Sequence, residues 1–397
     1  MYEFYIYDSI QSDSDGIARR LTTIFAPYAD LDETSLIYAL RSHFEAVMPP
    51  DLVVLLGTEA NSGRFQSILR SEYVSTHLPA LTRYLGPPAL VALCLQSNGK
   101  YRTIDSGDGT APYPVDIESL VRQGLLNIFF QRHGVLEGGG THHYVKPSGT
   151  HSDRFIRTAN VLVRGAEVYF IGFCLLKYCV PQVKRIYTDT AAIDSVAHAL
   201  LSLRKQLDPG FEACPISSFS SYGGLERFVF ERAGDALVLI SASTSGHLQR
   251  RLVQKGINPS QMVTLFYLGP SNSDQILCDI TRRTQESRLL FDPITNYKDD
   301  DSCEFCRRGL TAIHIAGDQF LPESVQIRAE LIVAEDAPKW LNSFCEQFVG
   351  HGLIRCHYLA SSGTDRLREL FIDLNPILSQ KRQSAIGSKR TSQFSIS

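Results

Sequence analysis

Apolar residues recur along this chain at two different periods, and the alternation between them outlines the fold. In SLIYALRSHFEAV (Ser35–Val47) and GIARRLTTIFAPY (Gly16–Tyr28) the apolar positions fall near every 3.6 residues, which predicts helices. LVVLLG (Leu52–Gly57) and ALVALCLQ (Ala89–Gln96) are short unbroken apolar runs that suit buried strands. Asn98-Gly99 follows the second run, a hairpin signal that sends the chain back as a polar strand. Residues 1–135 thus read as an N-terminal α/β domain with no chemical motif. Glycines 138–140 after it read as a flexible joint.

Residues 136–290 alternate regularly. VYFIGFCLLKYCV (Val168–Val180) fits a buried helix, and RIYTD (Arg185–Asp189) fits a strand that turns into an amphipathic helix from about Ile193. ALVLI (Ala236–Ile240) is a strand, STSG (Ser243–Gly246) a turn, HLQRRLVQKG a helix ending at Gly256, and MVTLFYLG (Met262–Gly269) another strand. Strand, turn and helix repeated with apolar strands predict a parallel sheet covered on both faces. Residues 291–378 hold strand-like TAIHIAG (Thr311–Gly317) and AELIVAE (Ala329–Glu335), then helical APKWLNSFCEQFVGHG (Ala337–Gly352), and read as a C-terminal α+β extension. The polar, basic tail 379–397 lacks apolar periodicity and is expected to be disordered.

A chain of 397 residues, 44% of them hydrophobic, can bury a full core and suggests two or three domains. Its net charge of −3 exerts no overall pull on nucleic acid or anionic membrane, although nucleic acid is not excluded. No apolar run reaches the roughly 20 residues of a membrane span, so no membrane partner is expected. The acidic start MYEFYIYDSIQSDSDG argues against a secretion signal, and nine scattered cysteines do not make a secreted disulfide framework. The expectation is a cytoplasmic protein.

Four stretches carry candidate chemistry. Ser243, Thr244, Ser245 and Gly246 lie where a strand feeds a helix, so their hydroxyls and amides could face an anion, or the turn could simply cap the helix. Thr141–Leu162 packs His142, His143, Lys146, His151, Arg154 and Arg157 around Ser148-Gly149. Such donors suit a phosphate or carboxylate, or form a solvated basic loop. No carboxylate or cysteine sits beside these histidines at ligand spacing, which argues against zinc on them. Thr188, Asp189 and Thr190 occupy a second strand-to-helix turn; Asp189 could hold a magnesium-bound water or a ligand hydroxyl, or cap the helix. Cys303 and Cys306 form one CxxC, half of a structural zinc site or a redox pair, with His314, Cys345, His351, Cys356 and His357 downstream. Asp318, in GDQFLPES, could supply a carboxylate or serve a turn.

Taken in order, three of these stretches resemble a type I phosphoribosyltransferase, most closely the orotate phosphoribosyltransferase branch. VKPSGTHS (Val145–Ser152) has the cast of that branch's opening loop, with Pro147 inserted. IYTDTAAIDSVAHAL fills the place of the pyrophosphate-binding turn, and PISSFSSYGGLE (Pro215–Glu226) that of the mobile loop. ALVLISASTSG imitates the phosphoribosyl diphosphate motif of hydrophobics, two acids and Thr-Thr-Gly. The resemblance covers roughly residues 136–275 and implies a parallel-sheet core that binds a nucleotide or phosphoribosyl ligand, with Mg2+ accompanying it.

The departures bear on activity. The family's acid pair is replaced by Ile240 and Ser241, and Ser217–Gly224 lacks the Lys and His that the family's mobile loop brings. Electrostatic stabilisation is usually the largest catalytic term, each lost donor costing on the order of 10²–10³ in rate. The resemblance therefore implies a sensor or effector subunit acting through protein partners or a homo-oligomer. Such a degenerate core fused to extra domains resembles the phosphoribosyltransferase-like components of bacterial anti-phage systems such as retron cassettes. A divergent transferase or glycosidic-bond enzyme, in which Asp189, Asp194 or Asp318 replaces the lost acids, is the alternative. A structural scaffold is the third.

Overall fold

The computed structural model describes residues 4–12, 16–28, 31–82, 88–104, 114–138, 140–146, 148–231, 233–270, 275–282, 290–316, 319–322, 354–359 and 367–372. The first sheet comprises β1 (Tyr5–Ser12), β2 (Ala18–Phe25), β3 (Leu52–Thr58), β4 (Ala89–Leu95) and β5 (Tyr101–Ile104), in that order. Helices α1 (Glu33–Phe44), α2 (Ser62–Leu69) and α3 (Glu72–Leu81) belong to this region. The inner pairs β2–β3 and β3–β4 are parallel, whereas the outer pairs are antiparallel. Gly99, at φ +80°, makes the β4–β5 turn that Asn98-Gly99 predicts.

One predicted helix is a strand. Residues 18–25 pair with β1 on one side and β3 on the other, and every residue of Leu21–Phe25 is buried. The apolar spacing of this segment suits either element. Its run Thr22-Thr23-Ile24 is β-branched and disfavours helix, and two-sided burial in a sheet centre then decides the outcome.

α4 (Ile117–Gln131) leads to four short strands, β6 (Val135–Glu137), β7 (His142–Val145), β8 (His151–Ser152) and β9 (Arg154–Ile156). Gly138 at their start makes a tight approach instead of a loose joint. A Cβ there would fall 2.1 Å from the His142 carbonyl oxygen, and its amide donates to Asp153 O. α5 (Gly165–Leu175) is apolar on all sides and buried on nearly all of them. Phe170 sets its ring edge-on to Tyr5, Tyr7 and Phe25 of the first sheet.

The second sheet is built from β10 (Arg185–Thr188), β11 (Ile216–Ser218), β12 (Ala236–Ser243), β13 (Met262–Tyr267) and β14 (Ile276–Asp279). Its order is β11-β10-β12-β13-β14, and every pairing is parallel. The connecting helices are α6 (Asp194–Leu207), α7 (Ser221–Leu225) and α8 (His247–Gln254). The chain is therefore α/β with a parallel sheet. The third sheet draws on distant segments. β15 (Asn296–Tyr297) pairs with β8, and β16 (Thr311–Ala316) pairs with β7 beyond the short helix α9 (Glu304–Arg307), with β17 (Gln319–Pro322) at the edge.

Residues Met1–Leu321 form one compact unit and Pro322–Ser397 a second, in which β18 (Ile354–Leu359) and β19 (Leu367–Ile372) pair antiparallel. In the first unit one continuous core runs from Tyr5 and Leu52 through Phe129 and Phe170 to Leu239, Leu265 and Ile294, on both sides of residue 135. Segment 291–321 lies in that unit as well. The expected strand 329–335, the expected helix 337–352 and the tail 379–397 fall outside the described residues. No helix among the described residues is long and apolar enough to cross a membrane.

The first sheet is latched to α4 by Tyr5 Oη, which donates to Gly124 O at 2.6 Å, and by Tyr7 Oη, which donates to Leu120 O at 3.0 Å. A Cβ at Gly124 would sit 2.6 Å from the Phe170 ring and 2.7 Å from that of Tyr7. Gly124→Ala should therefore lower stability by about 1–3 kcal/mol through overpacking, measured by urea denaturation. A stabilised variant would contradict this packing.

Candidate functional site

In a doubly wound sheet, ligands bind beyond the carboxyl ends of the strands, at the point where the strand order reverses. Here β10 connects to β11 on one side, and the chain then returns to place β12 on the other. The switch point is thus the gap between the ends of β10 and β12. A cavity of ≈ 490 Å³ opens there, lined by Asp189 and Thr190 after β10 and by Ser241–Ser245 at the end of β12. That volume is in the range of small-molecule sites, roughly 300–1,000 Å³. The facing wall comes from the β7–β8 turn, with Lys146 and Ser148, and from Asn296 and Lys298 around β15.

Lys146 bridges the two walls. Its Nζ donates to Thr244 Oγ1 at 3.2 Å and to Asn296 Oδ1 at 2.6 Å. Desolvation pulls this ammonium down to about 8, Asp153 opposing the shift. Arg157, Arg250, Lys298 and His247 also line the cavity, and Asp189 is the sole carboxylate among the described lining residues. The field inside therefore favours an anion.

Asp189 is buried and ties the two strands together. It accepts from Ser241 N at 2.9 Å and from Ser241 Oγ at 2.7 Å, and so is not a helix cap. Burial outweighs these bonds and pushes its carboxyl up to about 6. Thr158 Oγ1 donates to Ser241 O at 3.1 Å and holds the same residue of the strand. Ile240 points away into an apolar cluster with Tyr187, Phe219, Leu248 and Leu252. In the turn itself, Gly246 adopts φ +65° and donates its amide to Ser243 Oγ at 3.0 Å. That amide therefore serves the turn.

Eight of the sequence candidates line the cavity: Lys146, Ser148, Arg157, Asp189, Thr190, Ser243, Thr244 and Ser245. Gly149, Thr188, Gly246 and Asp194 do not. Gly149, at φ +79°, turns the β7–β8 connection, and Thr188 Oγ1 donates to Asp194 Oδ1 at 2.6 Å behind the wall. Asp194 is thus occupied as the partner of a strand-end hydroxyl. Asp318 lies outside the described residues. Residues 215–226 hold β11 and α7, of which Ser221 and Tyr222 line the cavity. Ser220 and Ser221 both sit in the left-handed region, at φ 55° and 52°, and the Ser221 amide donates to Asp189 O. Such strain in two adjacent non-glycine residues is a feature of functional sites. Sequence reasoning missed Thr158, Tyr222, Asn296 and Lys298. His247 and Arg250 could have been found as the first turn of the helix after STSG.

A second cluster lies in the third sheet. His143, His151, Cys303 and Cys306 bring four donor atoms within 4.8 Å of one another, an arrangement that could hold a metal. The expectation of no metal at the histidines rests on their local sequence, and the fold supplies the missing thiols from Cys303, the N-cap of α9, and Cys306 within it, far along the chain. Of the downstream residues, His314 is exposed and outside the cluster, Cys345 and His351 are not described, and Cys356 and His357 are placed only as members of β18.

The raised Asp189 carboxyl predicts a pH signature. The folded state keeps a proton that the unfolded chain gives up above its ordinary value of 3.8, so this group's contribution falls as pH rises from about 4 to about 6. The decline amounts to roughly 3 kcal/mol at ~1.36 kcal/mol per unit. Asp189→Asn can keep both bonds to Ser241 and should remove the slope. Urea unfolding across that pH window should show the variant gaining on the wild type; parallel curves would refute the assignment.

No protein-family model matches the sequence, and comparison with curated proteins finds no match.

Proposed function

We propose that the switch-point cavity binds a phosphorylated ribose ligand, a nucleotide or phosphoribosyl compound, and that the protein acts as a sensor or effector subunit. The observation that carries this reading is the convergence of Lys146 on Thr244 across the cavity. A cation from one wall meets a hydroxyl at the mouth of a parallel strand, in a pocket rich in positive charge. The phosphoribosyltransferase-like order of motifs runs through the same residues.

Catalysis of phosphoribosyl transfer is not part of the proposal. Ile240 is sequestered among apolar side chains, and Ser217–Gly224 brings no Lys or His. With Asp189 as the sole described carboxylate, any Mg2+ would arrive held mainly by the ligand's phosphates. The parallel with anti-phage components supports a role exercised through protein partners or a homo-oligomer. One observation favours the enzymatic alternative: Asp189 lies bonded to Ser241, beside the position of a lost acid. In that reading it balances charge on a ribosyl cation.

Calorimetry with phosphoribosyl diphosphate and a nucleotide panel tests the proposal. Binding should occur, and Lys146→Ala should weaken it by about 10–150-fold, the worth of a charge-assisted hydrogen bond at ~1.5–3 kcal/mol. Absence of binding by the wild type across the panel would end it. Affinity should also fall as pH rises through about 8, where Lys146 loses its proton, and Lys146→Ala should lack that fall. Pyrophosphate or base release by the wild type that is lost in Asp189→Asn would establish the enzymatic reading.

A further inference from the structure

We propose that His143, His151, Cys303 and Cys306 form a structural zinc site that clamps residues 296–306 onto the β7–β8 hairpin and thereby fixes the basic wall of the cavity. The distances fit a tetrahedral ion. His143 Nε2 and His151 Nδ1 are 3.0 Å apart, and Cys306 Sγ lies 3.3 Å and 3.4 Å from these atoms. Zinc with nitrogen at ~2.0–2.1 Å and sulfur at ~2.3 Å places such pairs about 3.3 and 3.6 Å apart. Two nitrogens and two sulfurs are the donor set that selects zinc over magnesium or calcium.

The surroundings are those of a closed site. His143, His151 and Cys303 are buried, and the Phe305 ring packs 5.6 Å from that of His143. His151 turns its other nitrogen to Asp300 Oδ1 at 2.8 Å, the outer carboxylate that orients a metal-bound imidazole. His143 Nδ1 is buried with no hydrogen-bond partner among the described residues, and the ring is held by packing on Phe305 and stacking on His151. Gly309, at φ +70°, closes the turn after Cys306. Among the described residues no fifth donor joins the four, and three of the four are buried, as in a structural site whose ion holds the chain.

What it holds bears on the cavity. Lys146 follows β7 by one residue, and Asn296, which accepts its hydrogen bond, belongs to the segment that leads to Cys303. Only two residue pairs join β15 to β8, so the ion supplies the stronger tie. The effect on ligand binding rests on the proposed cavity function; the metal site does not.

Protein purified without metal-affinity chromatography should contain one zinc per chain by elemental analysis. Cobalt replacement should give tetrahedral ligand-field bands with thiolate charge transfer. Metal-free protein with no cobalt bands, or a Cys303–Cys306 disulfide in the purified protein, would overturn the site. Cys306→Ser should lose the metal, whereas His142→Ala, on the same strand but outside the cluster, should keep it; loss in both or in neither counts against the assignment. With circular dichroism matching the wild type, Cys306→Ser should bind ribose 5-phosphate at least tenfold more weakly. Unchanged affinity after zinc loss would overturn the coupling. Zinc present in a wild type that binds no ribose 5-phosphate would overturn the cavity reading and leave the metal site standing.

Discussion

The parallel pairing of Arg185–Thr188 with Ala236–Leu239 is the constraint on which the rest depends. It sets two strand ends side by side while their connections diverge, so the backbone leaves a gap that no crossover covers. Asp189 spans that gap by accepting twice from Ser241. The bond pair keeps the two ends in register and places the carboxyl in the wall. The same burial that makes the carboxyl useful as a strut also holds a proton on it up to about pH 6.

The second organising force is aromatic packing around α5. Phe170 meets Tyr5, Tyr7 and Phe25, and the core continues without a break into the parallel sheet. This shared core explains how a region with no chemical motif of its own matters to the cavity. It supplies the surface against which the second sheet is held. Buried Glu167 at the start of α5, gripped by both Arg132 Nε and its terminal nitrogen, adds orientation more than net stability.

Much of this was legible in the sequence because apolar runs of buried strands are unambiguous when a turn and a helix follow. The strands Ala236–Ser243 and Met262–Tyr267 and the helix His247–Gln254 emerge where they are read, the first strand running three residues further, into the turn, and the helix ending two residues sooner. Ala18–Phe25 was misread because an apolar spacing near four satisfies a helix face as well as a strand buried on both sides. At the cavity, Lys146 and Thr244 were legible from local turn chemistry. Asn296 and Lys298 were not, since β15 is two residues long and its pairing with β8 has no sequence signature. The His/Cys cluster was invisible for the same reason, its halves being joined by strand pairing across half the chain.

Ile240 has one more consequence. Its side chain sits wholly enclosed with Leu248, Leu252 and Phe219, on the opposite face of β12 from the hydroxyl of Ser241. An acid introduced there would enter an apolar interior with no partner and would cost several kcal/mol unless it stayed protonated. Packing therefore holds an apolar side chain at this position, and an acid would fit there only if the neighbouring helix were remodelled first.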